Sequence, residues 1–400
     1  MKKIAIIGFG VVGSGVYEII RKNKDILEKK AGEEIDVKKI LDIRDFSAHE
    51  EKHLFTKDFE EILNDGEIEI VVETMGGIKF AYDYTKALLS AGKSVVTSNK
   101  ELVAAHGDEF FRIAQEKNVR YLYEASVGGG IPIIRPLAND IGANDVLEVS
   151  GILNGTTNYI LTKMFKENDS FQAALKTTQE LGYAEKDPTA DVDGIDACRK
   201  ISILMSLVTG RKIPSDTVNT IGIRGISAED VAYAEKMDCT IKLVGCGFTE
   251  NGKVNASVEP MLIPQSCPLS GVWDVFNGVM VKGNMVDSLM FYGRGAGKLP
   301  TASAVMGDVI DIVRSPKYNP YFTWTDAKKD AIIPYEEVRA QFFIRIKEEQ
   351  LEKAREVFGE KEFIKGACDY GFVTDCMSVK ALDESISQIG GAVNKIRLYK

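Results

Sequence analysis

Short continuous apolar runs alternate with amphipathic stretches over the first 125 residues. KIAII at 3–7, IDVKKIL at 35–41, IEIVVET at 68–74, KSVVTS at 93–98 and VRYLYEA at 119–125 are too short for buried helices and predict strands. Helical spacing fills the gaps between them: SGVYEIIRK, then 79–91, then a run opening at Lys100. Such alternation predicts a doubly wound parallel sheet, because each crossover segment has a sheet face to cover. The pattern changes near residue 145. VLEVSGILN predicts a strand, NYILTKMF a helix, 170–182 and 193–210 further helices, and 240–249, 253–263 and 286–292 strands of a mixed α+β layer. SPKYNPYFTW at 315–324 has the composition of a linker. Beyond it, 335–400 runs strand, helix, strand, helix, strand, which predicts a small ferredoxin-like module.

Composition narrows the class. Four hundred residues exceed one ordinary core, and 44% hydrophobic with 27% charged residues is a globular balance. The net charge of −9, with basic and acidic residues interleaved, predicts no nucleic-acid partner. No apolar run reaches the ~20 residues of a membrane span, so no membrane partner is expected. Six cysteines without a CxxC pair argue against zinc and for a reduced, cytoplasmic protein. Only three histidines occur, and His49 and His53 lie in a charged run with the character of surface. Attention moves to lysine.

GFGVVG follows the first strand and opens the first helix, the context in which a G-x-G-x-x-G pattern carries weight. Gly8 makes the tight turn, Gly10 admits a pyrophosphate close to backbone, and Gly13 lets the helix pack. Phe9, Val11 and Val12 complete the turn. The helix N-terminus then offers N–H groups to the diphosphate. Strand two ends in Asp42-Ile43-Arg44-Asp45: an acid suits the ribose hydroxyls of NAD, an arginine the 2′-phosphate of NADP, and both are present. Thr74, just before Gly76 and Gly77, lets backbone approach a cofactor. Lys100 opens a helix at the ligand-binding edge, where a solvated lysine is an equally good reading. Glu124 with the glycine-rich turn to Ile131 suits either a cation or a plain crossover. Gly155-Thr156-Thr157 begins a helix whose N–H groups suit a carboxylate.

Residues 182–200, GYAEKDPTADVDGIDACRK, carry the densest chemistry. Asp196 and Lys200 are one helical turn apart and share a face with Leu204 and Leu207. The all-round apolar continuation ISILMSLV predicts that this pair is buried, where a lysine can serve as an acid, a base or a polariser of a carbonyl. Glu185 and Asp191 lie just upstream. A calcium loop starting at Thr189 would match at Asp191, Asp193 and Gly194, but its closing position is Lys200, a cation.

GFGVVG, TSNKELVA, ASVGGGIPII, GILNGTTNYIL, GYAEKDPTADVDGIDACRK and GRGAGKLPTASAV occur in this order across residues 8–305, and together they resemble homoserine dehydrogenase. The resemblance implies reduction of L-aspartate 4-semialdehyde to L-homoserine with NAD(P)H in the biosynthesis of threonine, methionine and isoleucine. It implies Lys200 as proton donor with Asp196 beside the reacting oxygen, and Lys100 touching cofactor and substrate. Glu185 and Asp191 would hold the substrate ammonium, with Tyr183, Gly155 and Thr156 lining the pocket. Gly8 to Gly13, Thr74, Lys100 and Gly297 would hold the cofactor, and Arg44 would favour NADP, with NAD possible. Glu124 with the carbonyls of Val127, Gly129 and Ile131 would form a structural sodium site. The implied domains are a Rossmann-type nucleotide domain at 1–135 with a return segment at about 295–315, a catalytic and dimerisation domain at 136–320, and an ACT-like module at 335–400. A homodimer is expected. KEEQLEK at 347–353 replaces the Pro-Gly turn of threonine-sensitive ACT modules, so assembly is the expected role of the tail, separable by truncation near residue 330.

Two other classes compete. A phosphorylating semialdehyde dehydrogenase would need Cys198 as nucleophile, inside a helix without a histidine base. A non-catalytic cofactor sensor would have no turnover to lose with Lys200.

Overall fold

A computed structural model describes residues 1–318, 323–326 and 331–399, and the chain divides into two compact units. The first comprises Met1–Asp145, Ser202–Ser215 and Gly293–Ala327; the second comprises Val146–Ile201, Asp216–Tyr292 and Lys328–Lys400.

In the first unit six strands form a parallel sheet: β1 (Lys2–Ile7), β2 (Ile35–Leu41), β3 (Phe55–Thr56), β4 (Ile68–Glu73), β5 (Ser94–Thr97) and β6 (Tyr121–Leu122), in the order β3-β2-β1-β4-β5-β6. This is the doubly wound order with its reversal at β1, where ligands bind at the strands' carboxyl ends. Ile4, Ile6, Val71, Val72, Val95 and Val96 are fully buried, as continuous apolar strands sandwiched by helices should be. The helix Lys298–Arg314 returns to this unit: Gly15 packs on Lys298, and a Cβ there would lie 2.9 Å from its carbonyl oxygen. Arg120, 4% exposed, donates to the carboxylate of Asp311 at 2.9 Å and to the carbonyl of Ser315. The expected strand at 119–125 shortens to two residues and turns into a 3-10 helix at Glu124–Ser126. Of the expected linker, 319–322 lie outside the described residues. Trp324 is buried against Phe111, Tyr123 and Gly107, so its segment is core rather than linker.

The second unit is built on one long mixed sheet. Its strands run Asp287–Arg294, Phe276–Gly283, Val146–Ile152, Cys239–Glu250, Lys253–Pro264, Asn394–Leu398, Phe342–Lys347, Asp369–Val373, Ile364–Lys365 from edge to edge. Its two longest unexpected elements each have a local reason. Strand Phe276–Gly283, FNGVMVKG, has glycines that blunt its alternation. Helix Ala228–Lys236 carries a capping box between Ser227 and Asp230, a readable start signal.

The tail folds as strand, helix, two strands, helix, strand, with helices at Leu351–Phe358 and Val379–Gln388. Its last strand pairs in parallel with Lys253–Pro264, joining Met261 to Arg397 and Leu262 to Leu398. The ferredoxin-like sheet therefore continues the large one. Buried charges reinforce the seam. Arg345 meets Asp230 at 3.0 Å, and Arg397 meets Glu259 at 3.2 Å, with Tyr335 donating to Glu259 at 2.6 Å.

Candidate active site

The glycine turn is built as its spacing requires. Gly8 has φ +89°, a left-handed conformation, and Thr74 Oγ1 donates to its carbonyl at 2.7 Å. A Cβ on Gly13 would lie 2.0 Å from the Gly8 oxygen, so any side chain there would break the turn. Around Gly10, by contrast, a Cβ would meet nothing within 4 Å. Gly10 leads into the helix Val11–Lys22, which no side chain caps; Val11 is exposed and Val12 half-buried beside it. Open N–H groups, a bare glycine and a free approach suit a diphosphate. Phe9 sends its N–H to Asp42 at 2.7 Å and packs its ring edge-on against Phe46, Phe55 and His49. His49 thus belongs to an aromatic cluster rather than to open surface.

At the end of β2, Arg44 grips Asp42 through Nε at 2.9 Å and Nη2 at 2.8 Å. That ion pair holds the Asp42 carboxyl well below the usual carboxylate range. The Asp42 side chain is 7% exposed and the Arg44 side chain 56%. The cation is presented and the anion is spent.

Lys100 is half-buried at the first position of the helix Lys100–Lys117. Asn99 caps that helix by accepting from the N–H of Leu102, and its amide donates to Gly77 O at 2.7 Å. The loop after β4 and the start of the Lys100 helix are thereby joined. Behind them Glu73, fully buried, accepts from Thr97 Oγ1 at 2.5 Å and from the N–H of Met75 at 2.7 Å; burial pushes its carboxyl up to about 7.

Glu124 is 1% exposed and its carboxylate is committed to its own loop, accepting from the N–H groups of Ile133, Ile134 and Arg135 at 2.7–2.9 Å. Arg135 Nε adds a contact at 3.1 Å. The carbonyls of Val127, Gly129 and Ile131 accept no hydrogen bond among the described residues, although these residues are buried. Gly129 lies against Gly295, where a Cβ would be 2.4 Å from the carbonyl oxygen. Gly297, at φ +124°, starts the returning helix.

In the second unit, the helix Ile195–Thr209 begins with the acid–lysine pair, and the boundary between the units falls within it. Asp196 and Lys200 are 6% and 8% exposed. Lys200 Nζ donates to Asp196 Oδ2 at 2.7 Å and to Leu153 O at 2.6 Å. Asn154, absent from the expected site, completes the cluster. Its amide donates to Asp196 Oδ2 at 2.9 Å and to Asp191 Oδ1 at 2.7 Å. Its Oδ1 caps the helix Gly155–Glu167 by accepting from the N–H of Thr157. Asparagine directly before a helix start is the signal that could have revealed it. Thr156 Oγ1 donates to Tyr183 O at 2.8 Å, and Tyr183 packs edge-on against Tyr159. Tyr183 and Glu185 are exposed, whereas Asp191 is half-buried. Cys198 is buried, and burial pushes its thiol up, away from the reactive thiolate that a nucleophile needs.

Comparison with known proteins decides the family. The model described as homoserine dehydrogenase matches residues 132–310, and that of the homoserine dehydrogenase NAD binding domain matches 8–124. The homoserine dehydrogenase of Bacillus subtilis (strain 168) is 36% identical over 370 residues, covering 90% of this chain and 85% of its own. This chain belongs to the homoserine dehydrogenase family. The crystal structure of a homoserine dehydrogenase from Thiobacillus denitrificans matches with a TM-score of 0.92 at 33% identity, covering 100% of this chain and 98% of that one. A hyperthermophilic archaeal homoserine dehydrogenase in complex with NADPH matches with a TM-score of 0.66 at 29% identity, over 79% of this chain and 99% of that one. As a homoserine dehydrogenase, the enzyme is an oxidoreductase that uses a nicotinamide cofactor to reduce aspartate semialdehyde to homoserine in aspartate-family amino-acid biosynthesis.

Proposed function

We propose that Lys200 is the proton donor of this reaction. The observation that carries the assignment is its arrangement of partners. An ammonium has three N–H donors; Asp196 and Leu153 take two, and no third partner is found among the described residues. The remaining N–H is available to a substrate oxygen. When bound, the cofactor supplies a hydride to the aldehyde carbon. Lys200 then meets the negative charge that grows on the oxygen and gives it a proton. Asp196 and Leu153 O orient the ammonium. Asn154, by bonding Asp196 and Asp191 together, fixes both acids to the start of the Gly155 helix.

Lys100 touches cofactor and substrate in this reading, while Glu185 and Asp191 take the substrate ammonium and Tyr183, Gly155 and Thr156 line its pocket. The coenzyme is NADP, because Arg44 faces outward with its partner acid already neutralised. NAD is the weaker alternative. Gly8 to Gly13, Thr74 and Gly297 shape its site, Thr74 by holding the Gly8 carbonyl. A sodium ion takes the carbonyls of Val127, Gly129 and Ile131 beside Glu124. The Glu124 carboxylate contributes by anchoring the loop, not as a ligand. The enzyme works in the cytoplasm as a homodimer that buries exposed apolar residues of the second unit such as Met285.

Lys200→Ala is expected to lower kcat by about 10²–10⁴-fold, with NADPH binding little changed. Semialdehyde-dependent oxidation of NADPH reads the first and fluorescence titration the second. Near-normal turnover would move the donor role to Lys100.

A further inference from the structure

Lys242 is fully buried in the middle of the strand Cys239–Glu250. It forms no ion pair among the described residues. Its ammonium donates to Val272 O at 2.5 Å and to Asn158 Oδ1 at 3.2 Å, and stands 3.7 Å from the centre of the Trp273 ring. Asn158, on the helix Gly155–Glu167, donates in turn to the carbonyls of Val272, Asp274 and Phe276 at 3.0–3.2 Å. Thr162, one turn on, accepts from the N–H of Asp274 at 2.9 Å. Segment 272–276 is thus clamped along one face of that helix. It needs clamping, since Asp274 adopts φ +57°, a left-handed conformation that costs a non-glycine residue energy. At the far end of the clamp, a Cβ on Gly155 would lie 2.8 Å from Val275 O. The first turn of the helix therefore rests directly on the clamped backbone.

We infer that Lys242 is a positioning residue, whose buried Nζ holds segment 272–276 under the Gly155 turn and so sets the geometry of the substrate pocket. This role rests on the assignment of Gly155 and Thr156 to the substrate side. A buried lysine is a poor device for stability. Its desolvation pushes the ammonium down to about 7, with Lys166, also over the Trp273 ring, adding to the fall and Asp274 opposing it. An apolar side chain of similar length would fill the space at lower cost. What a methionine cannot do is hold Val272 O and Asn158 Oδ1 at once.

The test is Lys242→Met in the full-length enzyme, with Gly155→Ala beside it. K242M is expected to raise the KM for aspartate semialdehyde about tenfold, to change kcat less than threefold, and to leave NADPH affinity and the melting temperature at or above wild type. An unchanged KM in folded K242M, with G155A raising it, overturns the role of Lys242 alone. An unchanged KM in both overturns the pocket assignment and the inference with it. A melting temperature well below wild type with unchanged KM would make Lys242 purely structural. Should K242M fail to fold, Lys242→Leu, which removes the same two hydrogen bonds with a different apolar shape, takes its place, and an unchanged KM there overturns the inference equally.

Discussion

Whether a charged side chain serves chemistry or the fold is decided at the residue scale by what already occupies its hydrogen-bonding capacity. Asp42 is fully engaged by Arg44 and by the N–H of Phe9, so it has little left for a ribose. Arg44 keeps an exposed guanidinium that matches a phosphate in a bidentate fork. Arg44→Ala is expected to raise the KM for NADPH at least tenfold while leaving that for NADH nearly unchanged or lower. Steady-state titration of both coenzymes checks this, and equal effects would show that Arg44 does not meet the 2′-phosphate. The sequence contained both residues but not their mutual bond, so the preference for NADP rested there on the family resemblance alone. Lys200 and Asp196 were legible because a single helical face joins them to an apolar run. Asn154 and Lys242 were not, since the acids that Asn154 joins stand 37 and 42 positions away and the partners of Lys242 stand 30 and 84 away.

Elements convert these residues into fixed geometry. The parallel sheet was readable strand by strand, because buried strands are continuous apolar runs and each is followed by a helix. The strand Phe276–Gly283 is hard to read because Gly278 interrupts its alternation, and Gly278 is packed so closely that a Cβ would meet Met290 Cε at 2.8 Å. At the end of β4, Glu73 secures the loop that Asn99 ties to the start of the Lys100 helix. Its carboxyl is raised to about 7, so between its usual value near 4.5 and 7 the folded chain holds more protons than the unfolded one. Its contribution to stability therefore falls as pH rises through that window. Glu73→Gln, which stays neutral, should gain in melting temperature over wild type on going from pH 5 to pH 8. A constant difference between the two proteins across that range would mean that Glu73 titrates outside it.

At the scale of the molecule, the tail changes most from its sequence-based expectation. Its secondary structure order was visible, but the parallel pairing of Asn394–Leu398 with Lys253–Pro264 was not, because nothing local encodes a partner more than 100 residues away. The module is an extension of the second unit's sheet and shares its buried charges. Arg345→Met would leave Asp230, 1% exposed, without its guanidinium, at a cost of about 3–5 kcal/mol. Denaturant unfolding followed by signals from the tail and from the Gly155 helix is expected to show one shared transition, shifted to lower denaturant in R345M. Two separate transitions would restore a free-standing tail. On the same grounds, truncation near residue 330 is expected to give a poorly folded protein rather than a working catalyst.

The first unit is assembled from three separate stretches of chain, and this sets a timetable for its birth on the ribosome. Until Asp311 has emerged, Arg120 has neither the carboxylate nor the Ser315 carbonyl that satisfy it, and the N–H of Glu124 lacks Asp308. Synthesis from Asp145 to Arg314, at about 5–20 residues per second, takes roughly 10–30 s. During that interval the nascent nucleotide domain lacks the helix that packs on Val11–Lys22 at Gly15. A fragment ending at Asp145 is expected to be protease-sensitive and to bind NADPH poorly. Adding residues 293–315 as a separate peptide should restore protection, and a fragment that resists proteolysis unaided would show that the returning helix is dispensable for folding.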